Sequence, residues 1–182
     1  MFASQITLAT PSVELRDSFL NGLSSLSSQS DRSSWIYLGE SADLTLPLKD
    51  FDRYVAILIQ RQTVAPAGFV CDTTYWATSE NTVVGRISIR HELNASLQKV
   101  GGHIGFITHP AWRGNGVAST MLRDVLKTER ARHIGKLLLT CDSTNIASER
   151  TIRKNGGLLA GVFQTGESQP TKKHFWIDLT TN

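Results

Sequence analysis

No stretch of this chain approaches the roughly 18 consecutive apolar residues that a membrane-spanning helix needs. The opening residues, Met1 to Ile6, lack a basic segment followed by an apolar block, so no secretory leader is expected. Cysteine is scarce: Cys71 and Cys141 fit no metal-ligand spacing. The expectation is two reduced thiols in a cytoplasmic protein that holds no metal. Charge is sparse too, at 19% of residues with a formal net charge of +3. There is no basic run, which argues against nucleic acid as a partner and leaves only a mild bias towards an anionic ligand. Internal repeats are missing. The one biased segment, Ser24 to Ser34, holds seven serines and reads as a helix end and mobile loop, not a linker. With 40% hydrophobic residues, the 182 residues suffice for a single domain over 1–182 with one sizeable core.

Periodicity supplies the elements. A first helix is expected near Pro11, with Thr10 as its cap and Leu15, Phe19, Leu23 and Leu26 on one face. A second runs from Asp50 to Gln62, with Phe51, Tyr54, Val55, Leu58 and Ile59 as its buried stripe. Thr73–Thr78 and Thr82–Arg90 read as a hairpin about Glu80-Asn81. Further strands are expected at His103–Thr108 and Lys136–Cys141, and a closing antiparallel pair at Leu158–Gln164 and Lys173–Leu179. Helices follow Gly116 and Asn145, the second stopped by Gly156-Gly157. The order is strand, two helices, three strands, helix, strand, helix, two strands. It suggests an α/β fold.

The stretch from Phe106 to Ala118, FITHPAWRGNGVA, carries the chemistry. An apolar strand runs into a loop that delivers Arg113, Gly114 and Gly116 to the start of an amphipathic helix. Glycine lets the backbone turn tightly and approach a ligand. The first N–H groups of the helix have no intrahelical partner and sit at the positive end of its dipole, an anion site suited to a phosphate or pyrophosphate. A P-loop is excluded because no Gly-x-x-x-x-Gly-Lys-Ser/Thr run is present. A dinucleotide fingerprint fails at Ser119, where a third Gly or Ala is needed, and no acid stands about 20 residues on at a strand end.

Arg-x-x-Gly-x-Ala, from Arg113 to Ala118, resembles the acetyl-coenzyme A loop of the GCN5-related N-acetyltransferases. A second element follows at the expected distance: Asn145-Ile-Ala-Ser148, a helix, then Lys154-Asn-Gly-Gly157. Gly85 to Asn94 and Gly101 to Gly105 extend the likeness to a bacterial subgroup of acetyltransferases. The resemblance implies the acyl-CoA N-acyltransferase fold, a mixed central sheet of about seven strands with helices on both faces. It implies acetyl-CoA as co-substrate. The pyrophosphate would lie on Arg113, Gly114, Asn115, Gly116, Val117 and Ala118, and the pantetheine along Phe106, Ile107 and Thr108. A backbone N–H near Phe106 would polarise the thioester carbonyl, and Asn145 would reach the pantetheine. The reaction implied is direct transfer of acetyl to a primary amine of a small molecule, such as an amino acid, a polyamine or an aminated antibiotic or toxin. A protein or peptide acceptor and a non-catalytic acyl-CoA-binding module are the alternatives. Many relatives pair two-fold, so a homodimer is an expectation by analogy.

Two positions depart from the family's pattern. The place of its common Glu is Gly102, and that of its common Tyr acid is Ile152. His103, Glu92, His91 and Asp142 are therefore the candidate bases. His103 is equally readable as a sheet histidine, Asn145 as a simple helix cap, and Asp142 as a loop residue.

Overall fold

Side-chain oxygens mark where the helices begin. Ser12, Ser28, Asp50, Asn94, Thr128 and Asn145 each accept a backbone N–H from two or three residues further on, satisfying donors that the first turn leaves unpaired. The computed structural model describes residues 5–38, 43–164, 166 and 170–180. Strand β1 (Ile6–Ala9) leads through a 3-10 turn, Val13–Leu15, into α1 (Arg16–Ser25). The cap is Ser12, not Thr10, so the helix starts later than expected. Next come α2 (Gln29–Ile36), α3 (Leu46–Lys49) and α4 (Phe51–Gln60).

The serine-rich segment is a correction. It was expected to be a helix end and loop, yet α2 occupies most of it. Ser28 caps the new helix, and Trp35 and Ile36 are sunk into the core. That tertiary burial overrides a composition with weak helical preference.

Strands β2 (Asp72–Ser79) and β3 (Thr82–Arg90) form the expected hairpin. After α5 (Ala95–Lys99) come β4 (Ile104–Thr108), a 3-10 turn at Pro110–Trp112, α6 (Val117–Val125) and α7 (Glu129–Ile134). The chain closes with β5 (Lys136–Asp142), α8 (Ile146–Lys154), β6 (Leu158–Phe163) and β7 (Lys172–Asp178). The seven strands divide into a four-stranded sheet, β1-β2-β3-β4, and a three-stranded sheet, β5-β7-β6. Every ladder within them is antiparallel. Between the sheets, among the described residues, stands one isolated bridge, Gly102 to Leu139.

Apolar residues on the two faces of the first sheet build two cores. On one face Ile87, Ile89 and Ile104 pack with Met121 and Val125 of α6 and with Leu137, Leu139 and Phe175 of the second sheet. On the other, α1, α2 and α4 enclose an aromatic group. Phe19 lies 5.6 Å from Trp35, 5.7 Å from Phe51, 5.3 Å from Tyr54 and 4.7 Å from Trp76 between ring centroids. The polar ends are satisfied locally: Tyr54 donates to the Ile36 carbonyl at 2.9 Å and Trp35 to the Phe19 carbonyl at 3.3 Å. Such ring pairs add about 0.5–1.5 kcal/mol each beyond area burial. Among the described residues, no helix is long and apolar enough to cross a membrane.

Phe19 touches the three helices and β2 together. Phe19→Ala is expected to cost about 3–5 kcal/mol, read as a lower urea midpoint with an unchanged slope. A loss under about 1 kcal/mol would contradict this core.

Candidate active site

Among the described residues, strand β4 pairs with another strand on one edge only. Arg90 donates to the His103 carbonyl at 2.7 Å, and His109 donates to the Val84 carbonyl at 2.9 Å. Antiparallel pairing alternates, so Gly105 and Ile107 spend their backbone groups on β3, as do the His103 carbonyl and the His109 N–H. The N–H and C=O groups of Phe106 and Thr108 therefore face the other way, towards the gap between the sheets.

The gap opens just beyond a clasp. His103 N–H donates to the Leu138 carbonyl at 2.7 Å, and its Nδ1 accepts the Leu138 N–H at 2.9 Å. Gly101 N–H donates to Thr140 Oγ1 at 2.8 Å. Gly102 lies between, at φ +62°, where a Cβ would stand 2.3 Å from the Leu138 oxygen.

At its other end β4 feeds the glycine loop. His109 Nδ1 accepts the Ala111 N–H and caps the 3-10 turn. Gly114 and Gly116 both adopt positive φ, +81° and +78°, and Gly116 is the residue before α6. Neither would meet any atom within 4 Å if given a Cβ. Their requirement is thus conformational, and the space in front of them is open. Within the described residues, the N–H groups of Gly114 to Ser119 have no protein acceptor; the helical ladder begins with Thr120 donating to Gly116.

Helix α8 forms the opposite wall. Asn145 Oδ1 accepts the Ser148 N–H at 3.0 Å, which leaves its amide nitrogen free to donate elsewhere. Asn155 donates to Ser119 Oγ at 3.2 Å and to the Thr151 carbonyl, tying the end of α8 to the start of α6. Lys154 and Arg150 are thereby brought beside the glycine loop.

The result is one cleft of about 730 Å³. Of the residues that the resemblance assigns to the cofactor, Phe106, Ile107, Thr108, Arg113, Gly114, Gly116, Val117, Ala118 and Asn145 line it. Asn115 does not line it; its amide turns back to the Trp112 and Arg113 carbonyls. The sequence reading missed Asp31, Ser34, Arg150 and Thr151 on the walls. Arg150, Thr151 and Lys154 were legible as one polar face of the helix behind Asn145. Asp31 and Ser34 were not, because α2 was not foreseen. Arg113 does not project freely: its Nε donates to the Thr108 carbonyl at 3.2 Å and an Nη to Asp31 at 2.8 Å. Thr108 Oγ1 is buried without a partner.

The candidate bases lie elsewhere and apart from one another in their partners. His103 is buried and its Nδ1 is occupied; burial also lowers its pKa, so the ring is neutral with its proton on Nε2. His91 is half-buried, 2.9 Å from the Thr73 hydroxyl, with its pKa lowered by burial and then by Arg130. Glu92 is exposed. Asp142 is paired with Lys172. None of the four lines the cleft. Ile152, at the place of the family's Tyr, is buried in the core.

A family model described as the acetyltransferase (GNAT) domain matches residues 13–157. The chain belongs to this family. No curated protein matches it significantly. Solved GNAT structures share the fold at low identity. The microcin C7 self-immunity acetyltransferase MccE, with acetyl-CoA and AMP, is 12% identical over 95% of this chain and 92% of that one, with TM-score 0.65. RimL, a ribosomal L7/L12 alpha-N-protein acetyltransferase with coenzyme A, is 16% identical over 99% and 97%, TM-score 0.65. A spermidine N-acetyltransferase SpeG chimera from Vibrio cholerae and hSSAT is 16% identical over 97% and 96%, TM-score 0.59.

The Glu common in GNAT proteins cannot occupy position 102 without moving the backbone. Gly102→Glu is expected to destabilise the fold by at least about 2 kcal/mol, measured by chemical denaturation. An unchanged midpoint would contradict the clasp geometry.

Proposed function

We propose that the protein transfers acetyl from acetyl-CoA directly to a primary amine of a small molecule. One observation carries this reading: the free edge of β4 leads, within a single cleft, to the unpaired N–H groups of Gly114 to Ser119. A strand edge suits an extended arm of amides, and the helix start suits its pyrophosphate. The buried, unpartnered Thr108 hydroxyl and the open space at Gly114 and Gly116 fit such a ligand.

Bound acetyl-CoA supplies an activated thioester, so that the amine nitrogen loses a proton and forms the N–C bond as the C–S bond breaks. Gly114, Gly116, Val117 and Ala118 would hold the pyrophosphate through backbone N–H groups, with Asn115 shaping the loop. Arg113, Arg150 and Lys154 add positive charge there. Phe106 and Thr108 offer backbone groups to the pantetheine, Ile107 its side-chain wall, and Asn145 its free amide N–H. The Phe106 N–H would stabilise charge on the thioester carbonyl oxygen. Helix α2 walls the cleft through Asp31 and Ser34, which favours a small acceptor over a polypeptide.

His103 acts in this reading as a positioning residue, since its Nδ1 already holds Leu138. His91 follows β3, whose Ile87 pairs with Phe106. Four residues of strand separate the two, roughly 13 Å. His91 and Glu92 therefore reach the reacting nitrogen only through water, and solvent takes the amine's proton.

Gly116→Glu is expected to abolish coenzyme A binding in calorimetry, whereas Gly116→Ala, which strains φ without adding charge, weakens it less. Equal affinity in wild type and Gly116→Glu would sink the loop assignment. Turnover should rise with pH towards the pKa of the acceptor amine, because only the neutral amine is nucleophilic. His91→Ala and Glu92→Gln should keep kcat/KM within a few-fold. Loss of an ionisation near the histidine range in His91→Ala would instead make His91 the base.

A further inference from the structure

The face of the first sheet that carries α1, α2 and α4 is aromatic at one end and cationic at the other. On β3, Arg86 and Arg90 stand two places either side of Ser88 and project to this face. Arg61, just after α4, joins them. All three guanidinium carbons lie over the Tyr37 ring, at 4.1 Å for Arg86, 5.4 Å for Arg90 and 5.6 Å for Arg61. Among the described residues, the one carboxylate bonded to any of them is Asp72, whose Oδ1 takes Arg61 Nε at 2.7 Å. The other two have neutral partners only. Arg86 donates to the Ser34 carbonyl at 2.9 Å and to Ser88 Oγ at 3.2 Å. Arg90 donates to the Gly102 carbonyl at 3.0 Å and to the Tyr37 hydroxyl.

Buried charge is costly unless it is compensated, and here three guanidinium groups share the one carboxylate of Asp72 among the described residues. Arg86 is 3% exposed. Burial draws its pKa down to about 10, yet it stays charged at neutral pH. Arg90 and Tyr37 are half-buried, so the cluster is reached from one side.

The cluster does not line the cleft of about 730 Å³ itself but stands behind β4, next to it. A Cβ on Gly105 would come within 3.6 Å of an Arg90 Nη and 4.0 Å of Ser88 Oγ. Gly105 immediately precedes Phe106, and with no side chain it lets the Arg90 guanidinium pack close to β4. Ser34, whose carbonyl holds Arg86, lines the cleft itself.

We propose that Arg86 and Arg90 hold a carboxylate of the acceptor, making the substrate a small amino-carboxylate rather than a polyamine. The inference rests on the acetyl transfer proposed above. A guanidinium fork matches a planar carboxylate. The same positive field disfavours an ammonium nearby and so favours the neutral, nucleophilic amine. This accounts for a cleft whose lining carboxylate, Asp31, is already held by Arg113. A polyamine would bring only further positive charge.

The test is thiol release from acetyl-CoA by the wild-type protein. Free amino acids, the same amino acids as carboxamides, and spermidine serve as acceptors. The carboxylate forms are expected to exceed their carboxamides at least tenfold in kcat/KM, with spermidine lowest. Arg90→Met should collapse that ratio chiefly through KM, with coenzyme A affinity by calorimetry within a few-fold. Arg90→Lys, which keeps charge but loses the fork, should recover part of it. Carboxamides or spermidine turning over as well as the carboxylates would overturn the proposal and leave acetyl transfer standing. If no amine is used but coenzyme A binds, N-acetyl amino acids titrated into the loaded protein read the cluster directly. Binding weakened tenfold by Arg90→Met supports the proposal, and no binding overturns it. A wild-type protein that fails to bind coenzyme A overturns the acetyl transfer and this inference with it.

Discussion

The two sheets touch at the start of β4 and part immediately after it. His103 makes both contacts to Leu138, through its backbone N–H and its ring, and Gly102 lets the strands come close enough to do so. Beyond this clasp, among the described residues, β4 stays bonded to β3 and pairs with no strand on its other side. An unpaired strand edge inside a protein leaves strong donors and acceptors without partners, and proteins retain one only where something completes it. Here the gap is the cleft, and its length is set by where the clasp ends and the glycine loop begins. The Leu138 N–H spent on His103 explains why a histidine in a catalytic-looking place does structural work.

The loop depends on that same strand. Thr108 ends β4, and its carbonyl receives Arg113 Nε, which bends the chain back before Gly114 and Gly116 turn it into α6. Helix α2 then braces the loop from outside through Asp31 to Arg113, while Ser25 at the end of α1 meets the His109 ring at 2.8 Å. The Asp31–Arg113 pair is exposed enough to be worth little as stability. Its consequence is directional, fixing which way the guanidinium lies. Trp35 packs edge-on to His109, with centroids 5.6 Å apart. The aromatic core therefore reaches the start of the glycine loop through one residue of α2.

Strongly periodic parts were legible without coordinates. The α4 stripe, the β2–β3 hairpin and the strand-loop-helix from Phe106 to Ala118 rest on spacing that local rules read well. Ile59 was counted with the α4 stripe but lies 45% exposed, at the stripe's margin. Helix α2 was hidden because serine favours loops and its two anchors, Trp35 and Ile36, lie at its very end. The short α3 and α5 carried no pattern long enough to see. Asp31, Ser34 and the Arg86–Arg90–Tyr37 cluster were invisible for another reason: each is assembled by pairing across distant segments. Alternation placed Arg86 and Arg90 on one face of β3, but not what that face meets. Asn145 was read both as a cap and as a ligand residue, and the geometry lets it serve both, with one amide atom for each.

Amide hydrogen exchange across β4, with and without coenzyme A, tests the central claim most directly. The free edge predicts that Phe106 and Thr108 exchange quickly in the unliganded protein and become protected when coenzyme A binds. Gly105 and Ile107, bonded to β3, should be slow in both states. Slow exchange at Phe106 and Thr108 without ligand, or no change on binding, would mean that the edge is already paired and that the gap is not where the cofactor lies.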